Sequence, residues 1–357
     1  MISKGNIQCR PKMLHLHTAA QKLRPARTGC AQALYACAMD KNIESFAAAP
    51  FIKEIGRGVK GARSMSREDA RALYAAMLEG RVSDLELGAI LLAMRIKGES
   101  VEELAGFMDA AESAFAPLPS PPGDYAPVLI PSYNGARKLA NLTPLLALLL
   151  AREGVPVLVH GVRKDPGRIT TSEILLELGL AEAGTSADIL DAFASRRPAF
   201  IPIENLAPSL AHMLSLRRIL GVRNSTHTLV KVLQPFEGPA LRLVSYTHPE
   251  YLETLGAYFT TAATPERGDA FLMRGTEGET VANPHRAPRI DWFHDGKQSL
   301  LVERDAPADQ LAEVPEARDA ATTAAWIAAA LRGEVPIPPP IAAQAAHCVE
   351  VARGLRR

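Results

Sequence analysis

The sequence predicts an α/β protein, with a small N-terminal helical module followed by a larger α/β domain built on a mainly parallel sheet. Three observations lead there. Hydrophobic residues make up 47% of the chain and aromatic residues only 5%, an aliphatic composition that favours helices and buried sheets over a β-sandwich. Three helix-start signals follow one another between residues 66 and 103. Beyond a proline-rich stretch at 116–127, short apolar runs alternate with helical patterns. With 357 residues there is material for two domains. The divisions fall at 1–38 for a disordered extension, 39–118 for the helical module and 119–357 for the α/β domain.

The extension lacks apolar periodicity. It carries Lys4, Arg10, Lys12, Lys22, Arg24 and Arg27, no acid, and three of the four cysteines, Cys9, Cys30 and Cys37. It reads as a basic leader, or as sequence upstream of a true start at Met39. Residues 53–67, basic and punctuated by glycine, read as an exposed lead-in to the helices or a flexible clamp. "SRED" at 66–69, "SDLE" at 83–86 and "SVEE" at 100–103 are capping-box patterns. The first two helices stop at Gly80 and Gly98, where Arg95 and Lys97 suit the negative helix end. After the linker "APLPSPPGDYAP", strands are expected at 128–130, 155–160, 199–203, 241–246 and 270–275. Helices are expected at 142–153, 172–179, 186–194, 208–220 and 249–261. The alternation argues for parallel pairing. Residues 289–303 read as a hairpin turning at Asp295-Gly296, and helices at 319–332 and 341–355 close the chain.

Formal charge is +1, from 40 basic and 39 acidic residues. Without the six bases of the extension, 34 basic residues face 39 acidic ones, so net charge gives no support to nucleic-acid binding and only charge placement can. No CxxC spacing or Cys/His cluster suggests a metal, and four cysteines so placed make no disulfide framework. The apolar run Leu145 to Ala151 is too short to span a membrane. A reducing, cytoplasmic setting is expected.

The stretch "VLIPSYNGARKLANLTP" at 128–144 delivers a strand, through a loop, to a helix start. That is the usual place to hold a phosphate, because free backbone N–H groups face the anion. Such loops are normally rich in glycine, and this one has only Gly135. A helical module, a linker and an α/β domain, in this order and spacing, resemble the anthranilate phosphoribosyltransferases of glycosyltransferase family 3 over about residues 50–355. The resemblance implies a nucleoside phosphorylase/phosphoribosyltransferase-like fold and a homodimer through the helical module. The family's Gly-Thr-Gly-Gly-Asp pyrophosphate loop falls on Pro131, Ser132, Tyr133, Asn134 and Gly135. Its Asn-x-Ser-Thr falls on Asn141 to Pro144, where Asn141 and Thr143 remain. Its Lys-His-Gly-Asn-Arg falls on Val159 to Arg163, keeping His160 and Arg163, and its Ser-Ala-Asp falls on Thr171, Ser172 and Glu173. The family's acceptor-site arginine falls on Arg223. One acid of its magnesium pair falls on Glu279, followed by Thr280.

Phosphoribosyl transfer needs a cradle for a diphosphate and acids to place Mg²⁺. Losses at all three sites together resemble a non-biosynthetic, YbiB-like subgroup that keeps the fold and binds nucleic acid. Asn134, Gly135, Asn141, Thr143, His160 and Glu279 then mark a vestigial phosphoribosyl site, with no catalytic residue, metal or cofactor. Charge placement points the same way. Six acids and no base lie in 99–124, whereas bases collect on loops after strands: Arg137, Lys138, Arg163, Lys164, Arg217, Arg218, Arg223 and Lys231. Loops at strand C-termini share one edge of an α/β sheet, so these side chains are expected to form a groove for the phosphate backbone of DNA or RNA. Sparse aromatics argue against base stacking. The competing expectation is an enzyme, a phosphoribosyltransferase with an altered aromatic acceptor, which alone would call for Mg²⁺. His212, His227 and His248 show no ligand spacing, and no P-loop, GxSxG or GxGxxG occurs.

Overall fold

The computed structural model describes residues 44–58, 60–304, 313–316 and 318–356. The basic extension, its three cysteines and Met39 lie outside the described residues. The chain divides at Glu44/Ser45 into two units, and the second, Ser45–Arg357, holds every element below.

Among the described residues the module has four helices: α1 (Ala49–Ile55), α2 (Arg67–Leu78), α3 (Asp84–Lys97) and α4 (Val101–Ser113). Ser83 and Ser100 form full capping boxes with Glu86 and Glu103, and Ser66 accepts a hydrogen bond from the Asp69 N–H. Each such cap contributes about 1 kcal/mol. Gly106 lets α4 close on α2, since a Cβ there would lie 2.2 Å from the Arg67 carbonyl oxygen. Part of the lead-in expected at 53–67 is ordered as α1. Pro50 stands in its first turn and Ile55 is buried, so apolar packing on α3 overrides the glycines that follow.

The remainder runs β1 (Val128–Ser132), α5 (Thr143–Arg152), β2 (Val157–Gly161), α6 (Thr171–Glu177), α7 (Ser186–Ala194), β3 (Ala199–Pro202), α8 (Ile203–Leu206), α9 (Pro208–Ser215), α10 (Arg217–Leu220), α11 (Thr226–Leu229), β4 (Leu241–Ser245), α12 (Pro249–Thr261), β5 (Ala270–Met273), β6 (Ile290–His294), β7 (Lys297–Val302), α13 (Ala320–Arg332) and α14 (Pro339–Gly354). The helix expected over 208–220 is interrupted at Leu216. Gly221, in the left-handed region at φ 73°, ends the second piece, because a glycine takes that conformation without steric cost.

The seven strands are ordered β3-β2-β1-β4-β5-β6-β7. The first five are parallel, and β6 and β7 are added antiparallel. The hairpin turns at Asp295 and Gly296, both at positive φ, as a two-residue I′ turn requires. Alternate residues serve two cores. Val128, Ile130, Val157 and Val159 pack with α5, α13 and α14, while Leu129 and Leu158 belong to the core shared with the helical module. Burial on both faces explains why these strands read as continuous apolar runs. The module is joined to the sheet domain by Tyr74, whose hydroxyl lies 2.8 Å from the Thr226 hydroxyl. Among the described residues, no helix is long and apolar enough to cross a membrane.

Candidate functional site

Strand order reverses between β1 and β4, so the loops leaving their C-terminal ends diverge and open a crevice. The loop after β1, residues 133–142, sits there. Its approach to β2 is close: a Cβ on Gly161 would lie 1.8 Å from the Ser132 carbonyl oxygen. Gly135 turns the loop at φ 62°, and a Cβ there would lie 2.7 Å from the Ile169 carbonyl oxygen.

Six consecutive backbone N–H groups of this loop, from Asn134 to Leu139, are taken. Asn134 and Gly135 donate to Glu279 Oε1 at 2.8 and 2.7 Å. Arg137 donates to Glu277 Oε2 at 3.1 Å, and Lys138 and Leu139 both donate to Glu277 Oε1 at 2.8 Å. Ala136 donates to the Ile169 carbonyl. Two carboxylates therefore stand where a phosphate loop presents donors to its ligand. Burial pushes the Glu279 carboxyl up, against the Asn134 and Gly135 donors and nearby Lys231. Burial also acts to raise Glu277, but its three N–H donors outweigh it and hold that group below the usual carboxylate range.

The turn bearing both acids is pinned from several sides. The Gly278 carbonyl accepts from Asn134 Nδ2 at 2.9 Å, Ser245 Oγ at 2.7 Å and Lys231 Nζ at 3.3 Å. Asn134 Oδ1 in turn accepts from Arg223 Nη2 at 2.7 Å. Burial lowers the Lys231 ammonium to about 8, opposed by Glu279.

Tyr133, in place of a loop glycine, fills space instead of admitting a ligand. Its hydroxyl lies 2.8 Å from His160 Nδ1. Burial pushes the Tyr133 phenol well up and His160 down to about 3. His160 is neutral at ordinary pH and structural. Asn141 Oδ1 accepts from the Thr143 N–H, capping α5 from two residues away, and its Nδ2 donates to Thr171 Oγ1. Ser132 Oγ donates to the same Thr171 oxygen at 2.8 Å. Asn134, Gly135, Asn141 and Glu279 are thus tied into hydrogen bonds within the chain, while Thr143 Oγ1, His160 Nε2 and Glu279 Oε2 are buried without a partner. Glu173 accepts from the N–H of Thr170 as a helix cap.

The basic residues divide into three groups. Arg163 is paired with Glu182 at 2.8 Å and Glu204 at 3.2 Å, so it does not present a free charge. Arg137 and Lys138 have exposed side chains but line neither cavity described here. Around the crevice the structure does gather a set. A cavity of about 90 Å³ is lined by Arg95, Arg223, His227, Lys231 and Tyr251, among others. A second, of about 330 Å³, includes Tyr133, Lys164, Arg217, Arg218 and His227 in its lining. Arg95, Lys164, Arg217 and Arg218 are exposed at the rim. Burial and repulsion from Arg217, Arg168 and Arg95 lower Arg223. His227 is lowered to about 3 by burial and by Arg223, Arg217 and Lys231.

Sequence reasoning missed Glu277, Tyr133 as a plug, and Arg95. The Glu277 signal was present as "TEGE" after a strand, a turn-forming Gly between two acids.

Similarity to known proteins agrees with this architecture. Residues 49–114 match the helical bundle domain of the glycosyl transferase family. The uncharacterized protein YbiB of Escherichia coli K12 is 46% identical over 300 residues, covering 84% of this chain and 92% of that protein. The chain belongs to the YbiB family. An anthranilate phosphoribosyltransferase of Rhizobium meliloti is 28% identical over 58% of this chain and 59% of its own length. The anthranilate phosphoribosyltransferase of Thermus thermophilus superposes with a TM-score of 0.65 at 21% identity, over 85% of this chain and 89% of that one. The Saccharomyces cerevisiae enzyme, solved with PRPP and Mg, gives 0.62 at 13% identity, over 86% and 89%. The glycosyltransferase family 3 fold expected from the sequence is therefore the fold of this chain and of the YbiB family's scaffold.

The residues present do not fit magnesium. One acid of the family's pair is missing: Glu279 remains, with Oε1 spent on two N–H groups and Oε2 buried without a partner, but the next position is Thr280, whose buried hydroxyl has no partner either. Among the described residues no group of three His, Cys, Asp or Glu could hold a metal.

Proposed function

We propose that this chain is a cytoplasmic, sequence-nonspecific DNA- and RNA-binding protein on a phosphoribosyltransferase scaffold, and that it transfers no phosphoribosyl group. One observation carries the reading: positive charge crowds the crevice, where Arg95, Lys164, Arg217, Arg218, Arg223 and Lys231 outnumber the acids Asp165 and Glu204 that line the same cavities. Arg95, Lys164, Arg217 and Arg218 reach solvent, and their side chains make no hydrogen bond or ion pair among the described residues. They surround Arg223 and His227, both lowered in part by like charge. Such crowding disfavours the free protein and is relieved by a polyanion. Aromatic residues are 5% of the chain, and although Tyr133, Tyr246 and Tyr251 line these cavities, contacts led by the basic rim fall on phosphates and carry little sequence preference.

The test is a fluorescence titration with unrelated single- and double-stranded oligonucleotides at two salt concentrations. Salt-sensitive binding to all of them is expected. Metal-dependent transfer to anthranilate or another aromatic acceptor, above a no-protein control, would overturn the non-catalytic part and favour an enzyme with an altered acceptor.

We further infer a homodimer through the helical module. Leu92 and Ile96, one turn apart on α3, are 48% and 59% exposed beside an apolar groove lined by Ile52, Ile55 and Ala89. Exposed apolar surface of this kind marks association. Light scattering should give twice the chain mass, and Leu92→Glu should halve it.

A further inference from the structure

We propose that the Thr276–Glu279 turn is a built-in anion that occupies the old phosphate loop, and that removing its carboxylates opens a site for a diphosphate-sized anion. This goes beyond the binding reading above, since it concerns the loop and not the basic rim.

The first argument is stoichiometry. Of the six consecutive N–H groups from Asn134 to Leu139, five donate to Glu277 or Glu279. A run of backbone donors converging on anionic oxygens is an anion nest. Its geometry is intact here, and only its occupant is internal.

The second argument is how the occupant is delivered. The Glu279 N–H bonds to the Thr276 carbonyl at 3.0 Å, closing a four-residue turn. Both central residues have positive φ, 53° at Glu277 and 92° at Gly278, the pattern of a type I′ turn. A glutamate is a poor choice for that conformation, and an unfavoured backbone persists only where its surroundings over-determine it. Here they do so through the three N–H groups that its carboxylate accepts. Gly278 has no room for a side chain, because a Cβ would lie 2.4 Å from Asn134 Nδ2. Gly275 is equally confined, 1.8 Å from the Glu279 carbonyl oxygen. The turn is shaped to press two carboxylates onto the loop.

The third argument is competition. A tethered carboxylate acts at high effective concentration, so a free diphosphate must displace it from donors already satisfied. The loop is closed to soluble anions while the turn is acidic.

Calorimetric titration of pyrophosphate into the full chain tests this. Glu277→Gly is the chosen variant, because glycine suits φ 53° and frees three N–H groups. Wild type should bind pyrophosphate no more tightly than millimolar, through the exposed rim alone. Glu277→Gly should bind at least tenfold more tightly, and pyrophosphate should raise its melting temperature. Glu279→Gln, which keeps an acceptor but loses charge, should show a smaller gain. Should Glu277→Gly fail to fold, Glu277→Gln serves in its place with the same expected direction. Wild type binding pyrophosphate as well as the variant, or a folded variant with no gain, overturns the proposal. Oligonucleotide titration of the same proteins separates the two readings. If neither wild type nor variant binds oligonucleotide but the variant gains pyrophosphate, the rim reading falls and the built-in anion stands.

Discussion

Replacing Arg217 and Arg218 together by alanine should flatten the salt dependence of nucleic-acid binding by about half. Both side chains are exposed on α10, and neither bonds to a described residue. The fold should lose no more than ~0.5 kcal/mol, as for other surface substitutions. The unpaired rim consists of Arg95, Lys164, Arg217 and Arg218. Each phosphate neutralised contributes about 0.9 to the log–log slope on duplex DNA and about 0.7 on single strands. Four contacts give a duplex slope of about 3.6, and two give about 1.8. Between roughly 50 and 200 mM salt, wild type should lose roughly 150-fold in affinity and the variant roughly 12-fold. Anisotropy titrations of a labelled duplex at several salt concentrations measure both slopes. A folded variant with unchanged slope and affinity would place the phosphate path elsewhere, with Arg137 and Lys138 the next to replace. Weakening confined to one probe sequence would mean that these arginines read bases, against the nonspecific reading. Arg223 is unsuited to the same test, because its bond to Asn134 holds the loop.

Three further outcomes follow from the interior of the site. Gly278→Ala should lower stability by on the order of 2 kcal/mol, read as a drop in melting temperature, because φ is 92° and the Asn134 amide stands in the way; an unchanged melting temperature would show that the turn does not press on the loop. Tyr133→Phe should cost about 1–3 kcal/mol in denaturant unfolding, since it strips His160 Nδ1 of its partner while Nε2 already has none; a variant as stable as wild type would show that the pair holds nothing. Acid should destabilise through two histidines. His160 and His227 are lowered to about 3 in the folded chain, whereas the unfolded chain protonates near about 6.5, so the unfolded state binds more protons between those values. Their contribution is complete above about pH 6.5 and is lost as pH falls towards 3, at up to about 1.4 kcal/mol per pH unit for each group. His227→Asn should remove one share of that slope, and an identical pH profile in the variant would refute it.

What could be read in the sequence was local. Ser83 with Glu86 and Ser100 with Glu103 announce helices because cap and partner sit three residues apart. Asp295-Gly296 announces a hairpin because the turn's own φ values demand such residues. Buried parallel strands betray themselves by runs such as "VPVLVH". The site was legible only as a set of losses. That the loop's donors are satisfied depends on Glu277 and Glu279, which lie 138 to 145 residues from their partners, and no local pattern encodes that pairing. Arg163 looked like a member of the groove for the same reason, since its partners Glu182 and Glu204 come from other segments. Helix α1 was hidden by the glycines behind it, because its support comes from α3.

The carboxylates seated on the loop also constrain how such a chain can change. Restoring glycine at Tyr133 and Asn134 alone would return two of the family's glycines but not an open cradle, because Glu277 and Glu279 would still fill it. Removing the acids alone would free donors for a small anion, at the expense of the bonds that hold the turn, while Tyr133 still occupied the space that a sugar needs. Each step taken singly yields at most part of a site, and only the joint change yields a whole one, which is strong non-additivity between residues in direct contact. A protein arranged in this way has little path back to a phosphoribosyl-binding loop by one substitution at a time. The turn after β5 therefore acts as a ratchet on the history of the fold as well as a plug in its present structure.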